Sequence, residues 1–224
     1  MERMLDLGFC KVVYSEEDKF INKEKKLIIK AFNYNKNFFK IKISKFEIKF
    51  VYSRVDFDKL WGGKTEKFIS GLICDSKIVL FAYSIFDKET KWKRKDFYEC
   101  LIHEISHLFY EELRDDSYDP MWLSEGLATF LQCNKKKFKY KKGLKIKKKI
   151  LEEEFENMTI ERYQVYLLFV EYLIFKFGKK KILELIKGLK RGKELNNLFQ
   201  KIYKISFDEL IKDGNKYQKT AGNR

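Results

Sequence analysis

The chain has two histidines, and they stand four positions apart, in Leu101-Ile102-His103-Glu104-Ile105-Ser106-His107. On a helix, residues i and i+4 lie one above the other on the same face. Two imidazoles placed this way can hold one Zn²⁺, and Glu104 beside them can take a proton from a water. The competing reading is an ordinary amphipathic helix that happens to carry two histidines, so the surrounding sequence has to decide.

A zinc site that keeps room for a water needs three protein ligands and one open position. Glu125, in Trp122-Leu123-Ser124-Glu125-Gly126-Leu127-Ala128-Thr129-Phe130, is the candidate third ligand. It follows His107 by 18 positions, enough for one helix to end, a loop to turn and a second helix to return. Loop signals are present in Arg114-Asp115-Asp116-Ser117-Tyr118-Asp119-Pro120. Asp119 is expected to cap the second helix and Pro120 to sit in its first turn. Cys100, three residues before His103, is a lesser candidate ligand. Thr129, one turn after Glu125, could support a ligand by a hydrogen bond or simply pack.

His103-Glu104-Ile105-Ser106-His107 followed by Trp122-Leu123-Ser124-Glu125-Gly126-Leu127-Ala128-Thr129 resembles the gluzincin metallopeptidases, nearest in pattern to the aminopeptidase N family and the smaller peptidase MA-like proteins. The resemblance implies a zincin-like fold with one Zn²⁺ per chain. It assigns His103, His107 and Glu125 as ligands and Glu104 as general base. That family also uses a tyrosine from a Y-x-x-G segment as oxyanion donor. Tyr163-Gln164-Val165-Tyr166 resembles that segment, which makes Tyr163 the candidate donor and Tyr166 the reserve. The family's G-x-M-E-N segment, which grips a free N-terminus, has no match. Phe68-Ile69-Ser70-Gly71-Leu72-Ile73-Cys74-Asp75 lies in that region without the glutamate, which favours an endopeptidase over an aminopeptidase.

A length of 224 residues and a hydrophobic content of 45% suit one domain with an ample core. Nothing at the start reads as a signal peptide and no apolar run approaches a membrane span, so a cytoplasmic protein is expected. Cys10, Cys74, Cys100 and Cys133, without a C-x-x-C pair, are then expected to be thiols. The net charge of +15 is compatible with nucleic acid, an anionic surface or acidic substrates. It is also what a Lys-, Ile- and Asn-rich composition produces, and no recognised nucleic-acid motif accompanies it.

Taken in order, residues 1–95 read as an α/β lobe. A strand is expected near Phe9–Tyr14, and a helix from Ser15 to about residue 34. Residues 38–53 alternate as a hairpin or one long bent strand, and residues 55–61 suggest a short helix ending at Gly62-Gly63. Residues 77–84 are a further strand. By its place before the zinc helix it corresponds to the edge strand that binds substrate in the family resembled, and a plain core strand fits it equally well. Residues 96–134 hold the two ligand-bearing helices, over 96–112 and 120–133. Residues 135–158 form a basic and then acidic connector whose lysines over 135–149 read as a solvated face before a phosphate contact. Residues 159–216 form a helical lobe with a Ser206–Glu209 capping box, and the end is expected to fray from about Lys216. The fold class expected is α+β, sheet lobe first and helices after, with the metal between them.

The function this supports is zinc-dependent hydrolysis of peptide bonds in a peptide or protein substrate. Two rivals stand beside it: a zinc-holding binding module without catalysis, and a DNA-associated metalloprotease using the 135–149 lysines.

Overall fold

The computed structural model describes residues 1–74, 77–114, 119–133, 140–141, 143–152, 159–189 and 194–221. The chain divides into two units, Met1–Phe109 and Tyr110–Arg224, and is of mixed α+β composition.

The first unit is built on a five-stranded sheet of order β1-β2-β3-β5-β4. Its strands are β1 (Glu2–Asp6), β2 (Cys10–Ser15), β3 (Phe46–Val51), β4 (Gly71–Cys74) and β5 (Lys77–Phe81). The strands β2, β3 and β5 run parallel, with Val12 opposite Ile48 and Ile48 opposite Ile78. The outer strands β1 and β4 are antiparallel to their neighbours. A parallel pair needs a crossover, which a two-residue turn cannot supply. Helix α1 (Ile21–Phe39) supplies it between β2 and β3.

The helix expected from Ser15 to about residue 34 both begins and ends later, at Ile21 and Phe39. Ser15 ends β2, and Asp18 Oδ1 accepts the Phe20 N–H at 2.8 Å just before the helix starts. Ile28, Ala31, Asn35 and Phe39 recur at helical spacing on its buried face. Lys40 closes it in the left-handed conformation, its N–H donating to the Lys36 carbonyl. The alternation over 38–53 is thus neither a hairpin nor one long strand. Phe39 belongs to the helix, and only Phe46–Val51 is a strand. Period-two spacing alone does not say where a strand begins.

Helix α2 (Arg54–Trp61) opens on Ser53, whose Oγ accepts the Asp56 N–H at 3.1 Å, and stops at Gly62 in the left-handed conformation. The order of the strands overturns the edge reading of residues 77–84. The strand there, β5, lies between β3 and β4, and the edge on that side is β4, a four-residue Gly-Leu-Ile-Cys strand too short to announce itself by periodicity. After the short α3 (Phe86–Glu89) and a 3₁₀ turn, α4 (Phe97–Arg114) begins. Phe9, Phe32, Phe39 and Phe109 join its end to α1, with Phe9 and Phe32 stacked at 3.9 Å and Phe39 and Phe109 at 5.4 Å.

The second unit is helical. It holds α5 (Met121–Gln132), α6 (Lys148–Glu152), α7 (Ile160–Phe177), α8 (Lys179–Leu189), α9 (Leu195–Tyr203) and α10 (Phe207–Ala221). The core is aromatic: Trp122 lies 5.0 Å from Phe169, and Phe199 stacks on Phe207 at 4.7 Å. Thr159 caps α7, and Gly178 ends it. The Ser206–Glu209 box forms, and α10 runs from Phe207 to Ala221. Asp119 does not cap α5. Pro120 is the capping residue, without a side-chain bond, and the Asp119 carbonyl instead accepts from Tyr110 Oη and Arg114 Nε.

Only part of the lysine-rich 135–149 stretch lies among the described residues. There, Leu144 and Ile146 are buried, and Ile146 exchanges two 2.9 Å hydrogen bonds with the Asn215 side chain. Lys141 and Lys148 pair with Glu161 and Asp208. The apolar residues between these lysines serve the core. No described helix is long and apolar enough to cross a membrane.

Candidate metal centre

Helix α4 carries both histidines because its 3.6-residue period brings positions 103 and 107 to one side, while Leu101, Ile102, Ile105, Leu108 and Phe109 are buried. The two imidazole centroids are 5.0 Å apart and their planes are inclined by 74°. His107 is buried and His103 half-buried. The helix backbone is held at this point from two directions. Asn35 of α1 donates its Nδ2 to the Ile102 carbonyl at 3.1 Å, and Ser106 Oγ donates to the His103 carbonyl at 2.8 Å. Asn35 was not singled out from the sequence, where nothing separates it from the other asparagines of that segment.

Glu125, in the second turn of α5, completes a group. His103, His107 and Glu125 each offer one ligand atom, and these atoms all lie within 4.8 Å of one another. Two imidazole nitrogens and one carboxylate oxygen are three donors, which could hold one metal ion and leave a position open. The residues therefore fit a single divalent ion, and intermediate nitrogen and oxygen donors favour zinc over magnesium or calcium.

Cys100 is not in this group. It is buried beneath Ser70, which hydrogen-bonds the thiol, and burial pushes the thiol far above its ordinary range. Thr129 Oγ1 is buried and makes no hydrogen bond among the described residues, so it gives Glu125 no hydrogen-bonded support.

Glu104 points away from bulk solvent, at 8% exposure. Its carboxyl rests against the edge strand: a Cβ built on Gly71 would lie 2.5 Å from Glu104 Cδ and Oε1. Gly71 was not singled out from the sequence, because the four-residue strand it opens shows no period by which a glycine could be placed.

The glycine after Glu125 has a similar reason. A Cβ at Gly126 would meet the Tyr166 carbonyl oxygen and Val170 Cγ2 at 2.7 Å, so α7 closes on α5 there with no side chain between. Of the two tyrosines, Tyr166 is fully buried and its hydroxyl donates to the Ile150 carbonyl at 3.3 Å. Burial raises its phenol above the usual range; Arg162 opposes that rise and Glu125 adds to it. Tyr166 is thus a core residue with its hydroxyl engaged. Tyr163, in the first turn of α7, is half-buried.

In comparisons with known proteins, no family model and no curated protein matches this chain.

Proposed function

We propose that this chain is a zinc-dependent metallopeptidase of the gluzincin type that cleaves internal peptide bonds. The observation that carries the reading is the convergence of His103, His107 and Glu125 within 4.8 Å, with Glu104 on the same helix as the two histidines. A zinc ion held by these three side chains supplies Lewis-acid polarisation of a carbonyl and lowers the pKa of a water toward neutrality. Glu104 accepts the proton of the attacking water and returns it to the amine nitrogen as the C–N bond breaks. Tyr163 is the proposed hydrogen-bond donor to the developing oxyanion, a role for which Tyr166 has no spare hydroxyl hydrogen.

The edge strand supports a peptide as substrate. No other strand lies on the outer side of β4 among the described residues, and its first residue touches Glu104. An extended peptide pairing with that edge by main-chain hydrogen bonds brings its carbonyls past the base. The residues of β4 carry no carboxylate to bind a free amino terminus, in keeping with internal cleavage.

Elemental analysis of wild type and of Glu125→Ala, purified identically, tests the ligand set: about one zinc per chain is expected in the first and markedly less in the second. Glu104→Gln is expected to keep its zinc and lose hydrolysis of fluorescein-labelled casein by at least a hundredfold. Wild type without metal after zinc is supplied, or undiminished hydrolysis by Glu104→Gln, refutes the proposal.

A further inference from the structure

Gly71 opens β4, and the Glu104 carboxyl fills the space that a side chain there would take. A Cβ there would lie 2.5 Å from Glu104 Cδ and Oε1 and 2.7 Å from Cγ. Backbone conformation is not the reason for glycine at this position. Among the described residues the glycines at positive φ are Gly8, Gly62, Gly143 and Gly178, and Gly71 is not one of them. Any residue could adopt its backbone angles, so what excludes a side chain is the space that Glu104 occupies.

The contact has a neighbour of the same kind one helical turn earlier. Ser70 meets the Cys100 thiol, as Gly71 meets Glu104. Positions 100 and 104 are i and i+4 on α4, so the start of β4 lies along one stripe of that helix. Upstream, Trp92 Nε1 donates to the Phe68 carbonyl at 2.9 Å and Arg54 Nη1 to the Ile69 carbonyl at 3.2 Å. These bonds fix the chain that leads into Gly71. They leave the strand little freedom to retreat from an added methyl group.

We infer that Gly71 is a positioning residue for Glu104: its bare backbone forms the wall that holds the carboxyl group in place. This deepens the peptidase reading and rests on it for its catalytic consequence, although the contact itself does not. A methyl group at position 71 meets the flexible end of a glutamate on one side and a braced main chain on the other. The glutamate yields, and the base swings out while the three ligands stay.

Gly71→Ala, measured on the full chain, tests this by kinetics, zinc content and crystal structure. With internally quenched peptides as probe, the expected result is a fall in kcat of at least tenfold, KM within twofold of wild type and zinc content unchanged. The crystal structure is expected to show the Glu104 carboxyl displaced, with His103, His107 and Glu125 in place. Unchanged kcat, or a crystal structure in which β4 shifts and Glu104 stays, overturns the inference. If wild type cleaves no peptide, the peptidase reading fails by itself, and the position of Glu104 in the Gly71→Ala crystal structure still decides the contact.

Discussion

Individual residues carry their pH dependence separately from the metal group. Glu24, in the first turn of α1, is fully buried; its Oε1 accepts the Tyr83 N–H at 2.7 Å and Asp18 lies beside it. Asp18 in turn accepts the Tyr52 hydroxyl at 2.7 Å and the Phe20 N–H. Burial first, with Asp18 adding, pushes the Glu24 carboxyl up to about 8, while the Tyr83 N–H opposes the shift. A raised carboxyl pKa means that the folded chain keeps a proton the unfolded chain releases. The stabilisation is complete below the ordinary glutamate range and is lost as pH rises through about 8. Thermal melts of wild type should therefore fall from pH 5 to pH 9. Glu24→Gln, which retains the carbonyl acceptor for Tyr83 and cannot ionise, should melt higher than wild type at pH 9 by the equivalent of a few kcal/mol, with the gap closing toward pH 5. Parallel pH curves for the two proteins would refute this.

At the scale of elements, the site depends on two helices being held closely by neighbours that the motif does not contain. Helix α5 meets α7 at Gly126 with no room for a methyl group, and the obstacle is main chain at Tyr166, which cannot rotate away. Gly126→Ala should therefore cost about 1–3 kcal/mol by overpacking, in spite of the better helix propensity of alanine. Denaturant unfolding checks the figure, and a neutral or stabilising result would mean that α7 moves freely over α5. Helix α4 is held at Ile102 by Asn35, fully buried on α1. Asn35→Ala leaves that carbonyl without its side-chain donor and opens a cavity, so a loss of about 1–3 kcal/mol is expected. Because Ile102 adjoins His103, a measurable weakening of zinc binding by competition with a chelating dye should accompany it.

For the whole molecule, the proposed ion links binding to stability. An ion held by the folded chain and not by the unfolded one raises stability by about 2.7 kcal/mol when its free concentration is a hundred times its Kd. Stripping zinc with 1,10-phenanthroline should lower Tm, and added zinc should restore it. Glu125→Ala should lose most of that response, since one of the three donors is gone. A Tm indifferent to chelation would count against a bound ion. The charge of +15 acts at this scale too. The described part of the lysine-rich stretch places its apolar residues in the core and pairs Lys141 and Lys148 with acids.

Local chemistry was legible in the sequence. The spacing of His103 and His107 requires only a helix, and the helix is announced by its own apolar stripe over Leu101, Ile102, Ile105, Leu108 and Phe109. The Ser206–Glu209 box is a contact between residues close in the chain, and it formed as expected. Candidate ligands could be named because few residue types bind zinc. The order of the strands was not legible, because pairing partners are distant in sequence and β4 offers only four residues of pattern. Tertiary structure alone made β4 and not β5 an edge, turned the 38–53 alternation into a helix end followed by one strand, and engaged the Tyr166 hydroxyl. It also set Gly71 against Glu104. The physical reason is the same throughout: what depends on neighbours along the chain is written in residue type and spacing, and what depends on packing distant segments is decided only when they meet.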